Sequence, residues 1–152
     1  MGVEIERKFL VLPDKIPLQN NGHRFEQGYL SRSPSIRIRL IDYHAARITI
    51  KGPGLVTRAE YEYPIPYEDG VELMALSKSR LSKVRYVVHA GHTWEIDRFL
   101  GSLDGLWLAE IELESAGEDF ERPQWLSTEV TDDPRYSNAS LSETGSVPNR
   151  TF

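Results

Sequence analysis

The chain has 152 residues, of which 39% are hydrophobic and 27% are charged, with a formal net charge of −5. This length and composition predict one globular domain and exclude a wholly disordered chain, and the negative charge argues against general attraction to nucleic acid or an anionic membrane. Because cysteine is absent, disulfides and thiolate metal sites are excluded, and any metal must use oxygen or imidazole ligands.

Short alternating segments between turn signals predict a protein that is mostly β. Eight strands are predicted, at residues 3–11, 23–31, 35–41, 45–51, 57–64, 84–90, 93–100 and 106–114. Turn formers such as Ser33-Pro34 and Gly52-Pro53-Gly54 separate them. Consecutive hairpins in an antiparallel sheet are therefore expected.

Fewer segments of the chain are predicted to be helical than to be strands. Apolar side chains at helical spacing predict a helix over residues 67–81, between the fifth and sixth strands. A second helical segment is expected within residues 118–126, and one or two helical turns within residues 136–142. Residues 143–152 are interpreted as a loose tail of a single domain that spans residues 1–152.

The charged residues of the strands are sorted by face and by sign. Side chains at i and i+2 of a strand share a face, so Glu4, Glu6 and Lys8 oppose Ile5 and Phe9. The acidic pairs on other strands are Glu60/Glu62, Glu95/Asp97 and Glu110/Glu112, and the basic pairs are Arg37/Arg39 and Lys83/Arg85. Arg47 and Lys51 share a face of a further strand, on either side of Thr49. Like charges at i and i+2 repel one another unless a group of opposite charge lies between them.

A solvated face of an antiparallel sheet also alternates in this way, and for one strand alone that is the simpler interpretation. Eight strands, however, are enough to close a barrel, whose inner face becomes a lumen. We therefore expect an α+β, mainly β fold: a closed eight-stranded antiparallel barrel with a polar lumen, covered outside by a few helices. Carboxylates suit Mg2+ or Mn2+ and the cations suit phosphate, so this lumen is typical of a site for phosphoanhydride hydrolysis.

The same residues resemble a known family. Glu4-Ile5-Glu6-Arg7-Lys8 matches the E-x-E-x-K signature of the CYTH superfamily, also called triphosphate tunnel metalloenzymes. The remaining positions of its series follow in order, at Arg37/Arg39, Lys51, Glu60/Glu62, Lys83/Arg85, Asp97 and Glu110/Glu112. The chain is similar to the short bacterial branch, which resembles inorganic triphosphatases, through Gln27-Gly28-Tyr29-Leu30 and Arg135-Tyr136-Ser137-Asn138.

The resemblance implies a tunnel that binds a triphosphate with one or two divalent cations, Mg2+ or Mn2+. It implies metal binding by Glu4, Glu6, Glu110 and Glu112, with Glu60, Glu62 and Asp97 in support. It implies phosphate binding by Lys8, Arg37, Arg39, Lys51, Lys83 and Arg85. Lys51 and Tyr29 are alternative candidates for the residue that orients the attacking water or accepts its proton, and Tyr29 is equally compatible with ordinary packing.

Three functions remain open at this point. Hydrolysis of inorganic tripolyphosphate is favoured, because 152 residues leave little chain for a nucleobase or thiazolium pocket after eight strands and their covering helices. A nucleotide-directed enzyme, such as an adenylate cyclase or a nucleoside or thiamine triphosphatase, is the alternative. A non-catalytic polyphosphate or nucleotide sensor is the third.

The expected partner is a small polyanionic substrate, with no nucleic acid and no membrane. The N-terminal residues lack a cationic region followed by a long apolar run, and no stretch approaches the ~20 apolar residues of a membrane span. A cytoplasmic location is therefore expected. The apolar outer faces of the barrel would also suit a homodimer.

Overall fold

Antiparallel strands dominate the fold. The computed structural model describes residues 2–149, and within this range nine strands and two α-helices form. They are β1 Gly2–Val11, β2 His23–Arg32, β3 Ser35–Ile41, β4 Ala45–Lys51, β5 Thr57–Ile65, α1 Tyr67–Ala75, β6 Ser79–Ala90, β7 His92–Phe99, β8 Trp107–Glu112, β9 Leu126–Glu129 and α2 Asn138–Thr144. None of the helices formed by these residues is long and apolar enough to cross a membrane.

The sheet closes because β1 pairs with strands on both of its edges. Around the barrel the order is β1, β5, β4, β3, β2, β6, β7, β8 and back to β1, with antiparallel neighbours throughout. Gly2 lies opposite Glu60 of β5, and Lys8 lies opposite Glu110 of β8. The short β9 pairs with the last residues of β1. The predicted closed eight-stranded antiparallel barrel is confirmed.

The outer face of the barrel is apolar and largely covered. Over β1, β7 and β8, Phe120 and Trp125 from the segment that follows β8 pack on Phe9 and Trp94. Over β2, β3 and β4, α1 places Met74 in a second cluster. Burial of each such side chain contributes about 1.5–3 kcal/mol, so this outer layer is a large part of the stability of the fold.

The charged inner face becomes apolar further along four of the strands. Beyond Lys8 on β1, and at the matching positions of β6, β7 and β8, the inward side chains are Leu10, Leu81, Phe99 and Leu108. Leu141 of α2 packs into this cluster and has no exposed surface. The segment that contains α2 is thereby held against the inside of the barrel.

Two of the three helical predictions were wrong in detail. The helix predicted over residues 67–81 ends at Ala75, because from Ser79 onward alternate side chains, such as Leu81 and Lys83, point into the barrel as part of β6. Residues 118–126 form no helix, and Phe120 and Trp125 of this segment pack on the outer face. Pro123 within the segment has no backbone N–H to donate in a helix. The helical turns predicted within residues 136–142 are confirmed by α2 and the single turn before it.

The helix α1 packs closely against the sheet at Gly70. A Cβ atom there would lie 2.5 Å from Ala46 Cβ and 2.9 Å from Leu40 Cδ2. We expect Gly70→Ala to lower the free energy of unfolding by about 1–3 kcal/mol, because overpacking outweighs the better helix propensity of alanine. Urea unfolding measures the change, and Gly117→Ala is the control because nothing lies within 4 Å of a Cβ at Gly117. Equal stability of the two variants would contradict this close packing.

Candidate active site

The inner faces of the strands enclose one charged cavity of about 640 Å³. Its carboxylates are Glu4, Glu6, Glu60, Glu62, Glu95, Glu110 and Glu112, and its cations are Lys8, Arg32, Arg37, Arg39, Lys51, Arg58, Lys83 and Arg85. Tyr29 also lines it. The structure therefore brings every predicted site residue to this cavity except Asp97, which lies behind the cations of β6.

The order of the strands separates the charges into two halves of the wall. The acidic pairs lie on β7, β8, β1 and β5, which are consecutive around the barrel. The basic pairs, with Arg47 and Lys51, lie on β4, β3 and β6, which are consecutive apart from the intervening β2. Lys8 and Arg58 are exceptions, since they line the cavity from the acidic strands β1 and β5. We call these two parts the acidic half and the basic half.

Crowding of carboxylates dominates the acidic half. Burial, together with the negative charges of Glu110 and Glu4, raises the pKa of Glu6 to about 8. A hydrogen bond with Glu4, together with burial, raises the pKa of Glu60 to about 7. Two of the carboxyl groups therefore retain protons near neutral pH, because burial and contact with neighbouring carboxyl groups together outweigh the nearby cations.

Two lysines partly compensate this negative charge. Lys51 Nζ donates hydrogen bonds of 2.9 Å to both carboxylate oxygens of Glu4, and Lys8 Nζ lies 3.6 Å from Glu110 Oε1. Burial would raise the pKa of Glu110, but the charges of Lys8 and of the cations of β6 outweigh it and hold the pKa well below its usual range. Glu4 and Glu110 therefore remain ionised beside the protonated Glu6.

The donor set of the acidic half fits a hard divalent cation. It consists of carboxylate oxygens, which Mg2+ and Mn2+ prefer, and an ion of that charge would replace the protons that Glu6 and Glu60 retain. As the side chains stand, no three Asp, Glu or His groups within residues 2–149 form a ready-made ion site. Glu4 and Glu110 instead contact Lys51 and Lys8, and would exchange those lysines for the ion.

Asp97 pairs with two cations of the basic half but does not line the cavity. Its carboxylate accepts hydrogen bonds of 2.7 and 2.9 Å from Arg85 and of 2.7 Å from Lys83, and its side chain is 1% exposed. Burial would raise the pKa of Asp97, but the charges of Arg85 and Lys83 outweigh it and lower the pKa to about 2. Burial lowers the pKa of Lys83 to about 7. Asp97 thus holds two cations in place and does not line the cavity with the glutamates.

The sequence model of the CYTH domain matches residues 2–145. The chain belongs to the CYTH family. This CYTH chain is 40% identical over 147 residues to the inorganic triphosphatase of Acetivibrio thermocellus, which covers 93% of this chain and 94% of that protein. It is 37% identical over 151 residues to the inorganic triphosphatase of Nitrosomonas europaea, which covers 91% of this chain and 95% of that protein.

A solved structure extends these similarities to the fold. The crystal structure of an inorganic triphosphatase is similar to this CYTH chain with a TM-score of 0.67 and 33% identity, over 98% of this chain and 99% of that one. The family resemblance drawn from the charged motifs is therefore confirmed.

The two candidates for activation of water occupy different parts of the CYTH cavity. Lys51 reaches from β4 into the acidic half, where its Nζ lies 3.6 Å from Glu60 Oε2 as well as beside Glu4. Tyr29 is buried on β2 and lies opposite Arg37 in the register with β3. Lys51 is thus adjacent to the candidate metal ligands, whereas Tyr29 belongs to the basic half.

Arg58 and Asn138 are two of the lining residues that were missed from the sequence. Arg58 Nε lies 3.6 Å from Glu4 Oε1, and its spacing of two from Glu60 was a usable signal, since both side chains share a strand face. Asn138 reaches the CYTH cavity from the first residue of α2. No local pattern could have placed it there, because its position depends on how α2 packs against the barrel.

Proposed function

We propose that this chain hydrolyses a phosphoanhydride bond of inorganic tripolyphosphate, with Mg2+ or Mn2+ as the metal. The observation that carries the proposal is the division of a single cavity into an acidic half and a basic half. A triphosphate bound with a divalent cation presents both charges at once, so its phosphate oxygens suit one half and its metal suits the other.

The basic half supplies the phosphate contacts. Arg37, Arg39 and Arg85 offer planar N–H groups that can bind two phosphate oxygens at once, and Lys83 adds a point charge. Phosphoryl transfer needs little covalent help from the protein. The rate of the reaction therefore depends mainly on positioning of the substrate and on stabilisation of its negative charge. The cations of β3 and β6 provide both.

The acidic half supplies the candidate metal ligands Glu4, Glu6 and Glu110, with Glu112 and Glu60 beside them. A divalent cation, when bound, neutralises phosphate charge and polarises a phosphoryl oxygen. Lys51, once it leaves Glu4, has an Nζ that can hydrogen-bond the attacking water and hold it beside the phosphate. Tyr29 offers a hydroxyl from the opposite side for the same purpose.

The lining of the cavity favours an inorganic substrate over a nucleotide. Among the described residues that line it, Tyr29 is the only aromatic, and it is buried on β2. A purine or thiazolium ring is usually held by stacking on aromatic side chains. The names of the two bacterial relatives agree with this choice.

A comparison of substrates tests the proposal. With Mg2+ or Mn2+, the protein is expected to release phosphate from tripolyphosphate several times faster than from ATP or thiamine triphosphate, and chelation of the metal with EDTA is expected to stop the reaction. Faster release from ATP would favour the nucleotide-directed enzyme. Tight binding of all three without turnover would favour the sensor.

A further inference from the structure

A buried amide on β2 connects two cations of the basic half. Gln27 has no exposed surface, and its Oε1 accepts a hydrogen bond of 2.9 Å from Arg39 Nε. Its Nε2 donates a hydrogen bond of 3.3 Å to Asn138 Oδ1, which also accepts one of 2.7 Å from Lys83 Nζ. Two uncharged side chains thus link Arg39 to Lys83 across the end of the cavity.

The charge of Arg39 is not neutralised by any of these contacts. Within residues 2–149, Gln27 is the side chain that accepts a hydrogen bond from Arg39, and no carboxylate lies within ion-pair distance of it. Its guanidinium instead lies 4.3 Å from the centre of the Phe25 ring. An amide oxygen can orient an arginine without cancelling its charge, whereas a carboxylate would do both. The full charge therefore remains for an anionic ligand.

The position of Asn138 is fixed by the packing of α2. Ser137 caps this helix by accepting a hydrogen bond of 3.1 Å from the backbone N–H of Ser140. Leu141 is buried in the apolar cluster inside the barrel, and the hydroxyl oxygens of Ser142 and Ser79 lie 2.8 Å apart. The amide of Asn138 is thus held at a defined place beside Lys83 and Gln27.

We propose that Gln27 and Asn138 are positioning residues for phosphate binding, which aim Arg39 and Lys83 at the cavity without placing a further negative charge beside either cation. The inference rests on the proposed function, because it takes Arg39 and Lys83 to be phosphate ligands. It assigns a role to Gln27 on β2 and to Asn138 on α2, whose side-chain amides contact the cations and not the phosphate.

Binding of a non-hydrolysed analogue tests the role directly. The probe is imidotriphosphate with Mg2+, in which N–H groups replace the bridging oxygens, and its Kd is measured by calorimetry. Gln27→Met keeps the side-chain length but neither donates nor accepts a strong hydrogen bond, and it is expected to raise Kd about five- to tenfold. Asn138→Ala is expected to raise Kd by a similar factor. In the double variant Kd is expected to rise by less than the product of the two factors, because both changes break one chain of hydrogen bonds.

Gln27→Glu tests whether binding depends on the charge of Arg39 and not only on its orientation. This change keeps an oxygen acceptor against Arg39 but adds a neutralising negative charge, and it also removes the Nε2 donor to Asn138. The thermal midpoint is expected to stay at or above that of the wild type, while the Kd for imidotriphosphate rises. A purely structural role predicts instead that affinity follows stability. Wild-type affinity in Gln27→Glu would overturn the proposal.

Ser142→Ala is the matched control on α2. It removes the contact with Ser79 and is expected to lower the thermal midpoint without changing Kd, since neither serine touches a cation of the cavity. If it weakens binding as much as Asn138→Ala does, only helix packing matters and the proposal is wrong. Because Asn138 is only partly buried, its alanine variant keeps the test valid even if Gln27→Met does not fold.

The outcomes also separate this inference from the proposed function. A wild-type protein that does not bind imidotriphosphate would overturn both. A wild-type protein that binds it, together with unchanged Kd values in Gln27→Met and Asn138→Ala, would overturn only the positioning role.

Discussion

Glu6→Gln is expected to reduce tripolyphosphate hydrolysis by about 10²–10³ while leaving the fold intact. Burial and the charges of Glu110 and Glu4 raise the pKa of Glu6 to about 8, so glutamine closely mimics the protonated side chain of the metal-free cavity. The substitution removes the ability to become a negatively charged oxygen ligand, which a divalent cation requires. Its effect should therefore fall on turnover and on the Mg2+ or Mn2+ concentration needed, and not on stability.

The measurement is the initial rate of phosphate release over a titration of the metal, with the thermal midpoint recorded in parallel. Glu129→Gln is the control, because it makes the same chemical change in a carboxylate that binds Arg7 at 2.6 Å and does not line the cavity. That variant should retain wild-type turnover. A near-normal rate in Glu6→Gln would contradict a role for this carboxylate in the reaction.

Asp97→Asn is expected to lower the free energy of unfolding by about 3–5 kcal/mol, because it removes the carboxylate that pairs with buried Lys83 and Arg85. Arg85 then keeps only its ion pair of 3.0 Å with the more exposed Glu95. The side chains of Asp97 and Lys83 are each 1% exposed, and that of Arg85 is 10% exposed. Asparagine keeps the shape of the aspartate but neither its charge nor its paired acceptor oxygens. The loss is therefore expected to be electrostatic and not one of packing volume.

Urea unfolding measures this loss, and Asp133→Asn provides a comparison at the surface. Asp133 pairs with Arg135 at 2.7 Å, but their side chains are 30% and 50% exposed, so removal of that charge should change stability far less. Tripolyphosphate should stabilise Asp97→Asn more than the wild type, since the anion supplies the missing negative charge. A small loss in Asp97→Asn, equal to that in Asp133→Asn, would contradict the anchoring role of the buried carboxylate.

Strand positions were predictable where charged and apolar residues alternate without interruption. The bounds of β3 and β4 agree with the prediction, because Arg37 and Arg39 alternate with Ile36 and Ile38, and β4 follows the same rule. Alternation is a local property, so it survives any arrangement of the rest of the chain. Local spacing also misled, since it extended the helix over residues 67–81 into the start of β6.

The inward face of each strand was predictable, but the arrangement of the strands was not. Alternation indicates that Glu4 and Glu110 each lie on a charged face, yet it does not say that β1 lies beside β8. The division into an acidic and a basic half depends on that order. The same limit applies to Asp97, which lies opposite Arg85 in the register of β6 with β7, and to Asn138, which α2 carries into the cavity.

Closure through β1 has a consequence for the folding pathway. The first strand of the chain carries Glu4, Glu6 and Lys8, but it pairs with β5 and with the distant β8. Contacts so remote in sequence form slowly, because a long loop must be ordered before they contribute any stabilisation. The hairpins of β2, β3 and β4 can form early from neighbouring residues. During refolding, recovery of triphosphate binding would consequently lag behind recovery of β-structure, and its rate would report the joining of β1 to β8.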